Sequence, residues 1–189
     1  YDIRLLSLKN PAHKNYFRKL VFLSKVVFLS FGRLIFGSVT AYPEIIILEY
    51  GADRPGDIKN LLNIARPQIS VVTAVGEVPA HVEFYPACPP SVAREKSRLL
   101  EILPVGGFAV LNADDDQVFS MKERTRAHVI TFGFSASAEV RITNFEFKIE
   151  GGKPAGIAFK LGYGGSFVPV RLETSLSQAA AYAVAAAAS

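Results

Sequence analysis

Strands and amphipathic helices alternate between residues 44 and 134, and this alternation limits the fold more than any other feature of the sequence. EIIILEY (44–50) is a continuous apolar run of the kind found in strands that are buried on both faces. Three further strands are predicted at ISVVTAV (69–75), FAVLNAD (108–114) and HVITFGF (128–134). Residues 57–65 and 91–103 have helical spacing, with Ser91 as the predicted N-cap of the second helix. This order predicts an α/β fold with a mostly parallel sheet and flanking helices.

The pattern changes after residue 138. VRITNFEFKI, GIAFKLGY and SFVPVRL are short alternating strands separated by glycine-rich turns, and they predict a small antiparallel β meander. An Ala-rich helix is predicted to follow. We therefore expect residues 37–189 to form one partial domain, made of an α/β core (37–138), the meander (139–172) and the terminal helix (173–189).

The first 36 residues differ from the rest of the chain in charge. They hold seven basic residues and one acidic residue, a net charge of +6, so the remaining chain carries −2 of the total of +4. A nucleic-acid-binding body is therefore disfavoured. The single cysteine, Cys88, can form no internal disulfide, which favours a reducing, cytoplasmic setting.

YFRKLVFLSKVVFLSFGRLIF (16–36) is predicted to be helical, with one narrow polar stripe. Three alternatives stay open: a membrane span, a basic amphipathic helix on a membrane surface, and a helix packed against protein. A span is disfavoured because Lys25 lies at the centre, where a lysine costs about 2.5–3.5 kcal/mol on insertion scales. Peripheral membrane contact through this segment is the more favourable of the two membrane alternatives.

Polar residues follow three of the predicted strands where each strand ends. Glu49 ends the first strand, and the second continues into a segment that contains His81. Asn112, Asp114 and Asp115 end the third. Because ligands bind at the carboxyl ends of parallel strands, these side chains are expected to meet at one edge of the sheet. Carboxylate and imidazole groups suit a divalent cation and a nucleotide.

These motifs resemble the central ATP-binding domain of the Mur ligases over about residues 42–188. The most specific parts are E-x-G-A-x-x-P-G-D-I at 49–58 and Pro-Ala-His-x-Glu at 79–83. The Gly-Ala and Pro-Gly-Asp pattern is similar to the branch of the family that adds D-Ala-D-Ala to UDP-N-acetylmuramoyl-tripeptide (the MurF type). The resemblance implies a sheet like that of the P-loop NTPases.

The resemblance also implies site residues. Glu49 and His81 match Mg²⁺-binding residues, and Lys96 matches a lysine that is carbamylated in the family and positions a metal. Asn112, Asp114 and Asp115 match a segment on the adenine and ribose side of ATP. Ser177-Gln178 stand where many relatives have His-Asn, so no nucleotide role is assigned to Gln178.

The implied activity is ATP-dependent amide formation through an acyl phosphate, with ATP and Mg²⁺ as cofactors. The expected partners are UDP-N-acetylmuramoyl-tripeptide and D-Ala-D-Ala, with no nucleic acid, and the expected state is a monomer. Two alternatives are a non-catalytic Mur-like binding or membrane-associated module and a related amide ligase of the cyanophycin or folylpolyglutamate type.

A phosphate loop ending in Gly-Lys-Thr/Ser is missing from the 189 residues. GGKP (151–154) has proline where the hydroxyl residue is needed, and GSVT (37–40) lacks the lysine. The sequence is therefore expected to be a fragment that neither turns over substrate nor binds ATP tightly on its own.

Overall fold

The computed structural model describes residues 44–75, 85, 90–173 and 175–189, together with Val21, Ser24, Phe28 and Phe31. The chain divides into two units, Tyr1–Leu48 and Glu49–Ser189. In the first unit, the four described residues between 21 and 31 have helical backbone and exposed side chains. The rest of the predicted 16–36 helix lies outside the described residues. In the described part of the chain, no helix is long and apolar enough to cross a membrane.

The second unit is built on a mixed sheet whose six strands, within the described residues, follow their order in the chain. The strands are β1 (Ile69–Val72), β2 (Phe108–Asn112), β3 (His128–Gly133), β4 (Val140–Glu150), β5 (Lys153–Tyr163) and β6 (Ser166–Leu172). β1 to β4 pair in parallel, and β4 to β6 pair antiparallel. The predicted α/β class and the antiparallel meander are both confirmed, and the meander continues the parallel sheet.

Helices cover both faces of this sheet. They are α1 (Asp57–Ile64), α2 (Pro90–Glu101), α3 (Asp116–Ser120) and α4 (Gln178–Ala188), with a short 3₁₀ helix at Met121–Arg124. α2 contributes Val92 and Leu100 to a core that includes Leu111 of β2. α4 places Ala181 and Ala185 against a second core formed mainly by β3, β4 and β5. Alanine side chains are small, so an alanine-rich helix can pack closely against the sheet that it covers.

Glycine pairs form both hairpin turns of the meander. Gly151 and Gly152 join β4 to β5 with φ of 57° and 77°, and Gly164 and Gly165 join β5 to β6 with φ of 57° and 82°. A two-residue hairpin turn that matches the twist of its strands requires positive φ at both residues, and glycine adopts positive φ without strain. GGKP therefore makes a turn, as its place in the predicted meander indicates.

Two strand predictions are wrong in part. Residues 45–50 form no strand, and Ile45 and Ile47 are 80% and 93% exposed. A strand needs a neighbour for its backbone hydrogen bonds, and no described strand pairs with this run. ISVVTAV (69–75) is apolar enough for a strand buried on both faces, but β1 is an edge strand among the described residues: Ile69 and Val71 are exposed, while Ser70 and Val72 are buried.

The predicted N-cap of α2 is also wrong. The helix begins at Pro90, so Ser91 lies inside its first turn. Its hydroxyl oxygen is buried and has no hydrogen-bond partner among the described residues. Proline suits the first helical position because its ring fixes φ and its missing N–H would have had no helical acceptor.

Candidate active site at the carboxyl edge of the sheet

The parallel strands β1, β2 and β3 end at one edge, and Asn112 joins the first two. Its side-chain amide donates to the backbone oxygen of Thr73 at 2.8 Å, and its carbonyl oxygen accepts from the N–H of Asp114 at 2.9 Å. Asn112 is buried, so these bonds satisfy a polar group that would otherwise be costly. The residue fixes the spacing between the segments that follow β1 and β2.

Asp115 makes a second connection between the same two segments. One carboxylate oxygen accepts from the N–H of Val75 at 2.7 Å, and the other accepts from the N–H of Val118 at 3.1 Å. The second bond caps α3, where a carboxylate is favoured by the helix dipole. The side chain of Asp115 therefore binds the segment that follows β1 and also caps α3.

Asp114 connects β2 to β3 and to α4. Its carboxylate accepts from the N–H groups of Phe134 and Ser135 at 2.6 and 2.7 Å, and from the hydroxyl of Tyr182 at 2.9 Å. Burial of the phenol, followed by its hydrogen bond to Asp114 and the charge of that carboxylate, raises the pKa of Tyr182 to about 12. A β-carbon at Gly133 would lie 2.7 Å from the carboxylate, so this close approach requires glycine.

Lys96 reaches the same edge from α2. Its ammonium nitrogen donates to the backbone oxygen of Ala74 at 2.8 Å, just after β1. Burial lowers the pKa of Lys96, while the nearby carboxylate of Asp115 acts in the opposite direction. A lowered pKa increases the neutral fraction of the amine at a given pH, and the neutral amine is the form that can act as a nucleophile.

The structure brings Asn112, Asp114 and Asp115 to one edge of the sheet, and Lys96 reaches the same edge from α2. The structure places Glu49 at an exposed position. The neighbouring residue Tyr50 anchors this segment, because its hydroxyl donates to the backbone oxygen of Ala65 at 2.8 Å. His81 lies outside the described residues. Within the described ranges, no three His, Cys, Asp or Glu side chains converge closely enough to hold a metal ion.

Sequence reasoning missed two residues of this region. A glutamate beside Arg94 and Lys96 on an amphipathic helix is expected to be solvated, yet Glu95 is 5% exposed. The signal was available, since Glu95 follows Val92 by three positions and so lies on the buried face of the helix. Tyr182 was also missed, although it is the one aromatic residue in an otherwise small-residue helix.

The fold and this edge together define a class: an α/β domain with polar and ionisable side chains collected where ligands bind in open parallel sheets. Residues 32–172 match the model of the Mur ligase middle domain. The chain therefore belongs to the Mur ligase family, of which it carries the middle domain.

Curated relatives match over about half of the chain. The UDP-N-acetylmuramoyl-tripeptide–D-alanyl-D-alanine ligase of Mycobacterium leprae is 38% identical over 91 residues, which are 48% of this chain and 17% of that protein. The UDP-N-acetylmuramate–L-alanine ligase of Aquifex aeolicus is 32% identical over 95 residues, 50% of this chain and 20% of that protein. The matched region is thus at most a fifth of these relatives' length.

Solved structures share the fold. The Thermotoga maritima MurF ligase, crystallised with ADP, aligns with a TM-score of 0.64 at 24% identity, covering 77% of this chain and 32% of that one. MurF from Acinetobacter baumannii aligns with a TM-score of 0.61 at 22% identity, covering 73% and 28%. At this identity the likeness concerns the fold alone.

Proposed function

We propose that this domain is the nucleotide- and metal-binding part of a cytoplasmic, ATP-dependent amide ligase that adds D-Ala-D-Ala to UDP-N-acetylmuramoyl-tripeptide. One observation carries the proposal. Lys96, with a lowered pKa, reaches the carboxyl edge of the parallel sheet and lies near Asp115, in a chain of the Mur ligase family. The matching D-alanyl-D-alanine ligase of Mycobacterium leprae and the T. maritima MurF structure with ADP support the choice of substrates and nucleotide.

The chemistry of the candidate donors fits Mg²⁺. Glu49 offers a carboxylate and His81 an imidazole, and Lys96 would add oxygen ligands after carbamylation. Mg²⁺ would supply charge neutralisation at the transferring phosphoryl group. Asn112, Asp114 and Asp115 would border the adenine and ribose side of ATP.

Lys96 has a specific task in this proposal. Its neutral amine attacks carbon dioxide, the N–C bond forms, and the amine gives up a proton, so a cation becomes an anionic carbamate. Partial burial favours the neutral amine that starts this reaction. The bond to Ala74 holds the nitrogen at the end of β1, where the carbamate oxygens would face the ligand side of the sheet.

The ligase reaction follows from positioning and charge. The substrate carboxylate attacks the γ-phosphorus of ATP, which yields an acyl phosphate and ADP, and the amine of D-Ala-D-Ala then displaces phosphate to form the amide. The domain contributes a rigid edge, since Asn112, Asp114 and Asp115 each bridge two or more of its segments. Pre-organised polar groups of this kind need no rearrangement during the reaction.

We also propose that the 189-residue chain alone does not turn over. Its sequence contains no Gly-Lys-Thr/Ser loop to hold the nucleotide phosphates, and the two glycines of GGKP form a hairpin turn that leads into β5.

The test is phosphate release and amide formation by the product of the complete reading frame. We expect release only when ATP, Mg²⁺, UDP-N-acetylmuramoyl-tripeptide and D-Ala-D-Ala are all present, with omission of each as the control. Absence of release from the folded full-length product would overturn the proposal.

A second candidate function, peripheral membrane contact, is favoured by the first unit. Val21, Phe28 and Phe31 have helical backbone and lie 51%, 79% and 60% exposed at spacings that place them on one side of a helix. Co-sedimentation with anionic liposomes, lost in Lys19→Glu/Lys25→Glu, would support it. Failure of the wild-type chain to co-sediment would reject it.

A further inference from the structure

Two side chains from different parts of the chain hold the segment that leads into α1. Glu95 of α2 accepts with one carboxylate oxygen from the N–H groups of Gly56 and Ile58, at 2.9 and 3.2 Å. Tyr85 donates its hydroxyl to the backbone oxygen of Ala52 at 3.1 Å. Glu95 and Tyr85 are both buried, so these bonds form in a region that water reaches poorly.

Glu95 acts as the N-cap that α1 lacks in its own sequence. The cap position is Gly56, which has a φ of 97° and no side chain to accept the first N–H groups of the helix. Glu95 supplies the acceptor from a neighbouring helix, and the helix dipole favours its negative charge there. Its other oxygen pairs with the guanidinium of Arg98 at 3.0 Å, so both oxygens of the buried carboxylate are satisfied.

These bonds connect the two described segments that carry candidate metal-binding residues. Glu95 is adjacent to Lys96, and Ala52 is three residues after Glu49. An extended chain spans at most about 3.6 Å per residue, so Glu49 lies within about 11 Å of Ala52 along the backbone. Two hydrogen-bonding side chains thus limit how far the Glu49 segment can separate from the helix that carries Lys96.

We propose that Glu95, assisted by Tyr85, is a positioning residue of the metal site: it locks the loop after Glu49 onto the helix that carries Lys96. This inference rests on the proposed function, because the metal site itself is part of that proposal. Glu95 touches no reacting atom in this account. It acts through the backbone of residues 56–58.

Hydrogen exchange on the 189-residue chain tests the lock directly. In Glu95→Ala the amides of Gly56 and Ile58 should lose protection, whereas Glu95→Gln should keep most of it, because one side-chain oxygen accepts both bonds and glutamine retains such an oxygen. The control is Leu100→Val, which shortens a fully buried side chain five positions further along the same helix. Unchanged protection in Glu95→Ala would overturn the lock.

Metal affinity tests the positioning role. Mn²⁺ binding is followed by electron paramagnetic resonance on the same chain in bicarbonate buffer. We expect Glu95→Ala to weaken Mn²⁺ binding about tenfold, as is typical for residues that orient metal ligands, while Glu95→Gln and Leu100→Val bind like the wild type. Tyr85→Phe, which removes one hydroxyl, should weaken binding to a smaller degree and carries the test if Glu95→Ala fails to fold.

The outcomes separate the two proposals. A wild-type chain that binds no Mn²⁺ would overturn the metal site and, with it, the positioning role. If Glu95→Ala and Tyr85→Phe both bind Mn²⁺ as tightly as the wild-type chain does, the positioning role alone is overturned. Equal weakening in Glu95→Ala and Leu100→Val would reduce Glu95 to a general stabilising residue and would also overturn the inference.

Discussion

Replacing Tyr182 with phenylalanine removes one hydroxyl from the point where β2, β3 and α4 are joined. That hydroxyl donates to Asp114 at 2.9 Å, and Asp114 also accepts two backbone N–H groups at 2.6 and 2.7 Å. A hydrogen bond to a charged group contributes about 1.5–3 kcal/mol. Because Asp114 is exposed, solvent screening weakens this bond, and Tyr182→Phe should lower the free energy of unfolding by about 1–1.5 kcal/mol.

Asp114→Ala should cost more, since it removes all three bonds. Water can replace part of the loss at an exposed site, so we expect about 2–4 kcal/mol, or a fall in melting temperature of roughly 5–15 °C for a chain of this size. The two changes share one bond. The double variant should therefore be less destabilised than the sum of the single variants, by about 1 kcal/mol.

Urea unfolding at pH 7, followed by far-ultraviolet circular dichroism, measures the free energy of unfolding of the wild type, the two single variants and the double variant. Tyr163→Phe is the control, because Tyr163 is 66% exposed, and its effect should stay within about 0.5 kcal/mol. Additivity of Tyr182→Phe and Asp114→Ala would refute the claim that these residues form one connection.

Three further predictions concern the same edge. The folded-state pKa of Tyr182, about 12, lies above the ordinary value of 10.0, so its contribution to stability is complete below pH 10 and is lost as the pH rises to about 12. Urea unfolding between pH 9 and 12 should show a steeper fall for wild type than for Tyr182→Phe, and equal slopes would contradict this. Gly133→Ala would place a β-carbon 2.7 Å from the Asp114 carboxylate at a φ of +149°, and should lower the free energy of unfolding by about 2 kcal/mol or more. Gly106→Ala, with nothing within 4 Å, is the matched control, and equal effects in the same urea assay would refute the steric argument. Carbon-13 NMR in labelled bicarbonate should show a carbamate signal that is lost in Lys96→Ala and kept in Lys59→Ala, and a signal that survives Lys96→Ala would place the carbamate elsewhere.

Much of the fold could be predicted because local patterns agree with long-range packing. The alternating residues of β4 and β5 and the glycine pairs between strands specify a hairpin meander without reference to the rest of the chain. The strand prediction for EIIILEY is wrong for the opposite reason. Its composition is that of a buried strand, but pairing depends on a neighbour, and the pattern contains no information on whether one is present.

The candidate site could be predicted in part for a similar reason. Strand ends are visible in the sequence, and parallel strands end at one edge, so Asn112, Asp114 and Asp115 could be grouped. Their connecting roles could not be predicted, because the partners of Asp114 lie twenty or more residues away, just after β3 and on α4. Glu95 shows the same limit, since its partners Gly56 and Ile58 are 39 and 37 residues distant.

The most direct test of the central claim is the rate of ATP-dependent phosphate release by the product of the complete reading frame, compared with Lys96→Ala and with Lys59→Ala. All ligase substrates and Mg²⁺ are supplied. If Lys96 places a metal at the carboxyl edge of this sheet, Lys96→Ala should slow phosphate release about 100-fold or more while Lys59→Ala releases phosphate at the wild-type rate. A Lys96→Ala protein that releases phosphate as fast as the wild type would contradict the account.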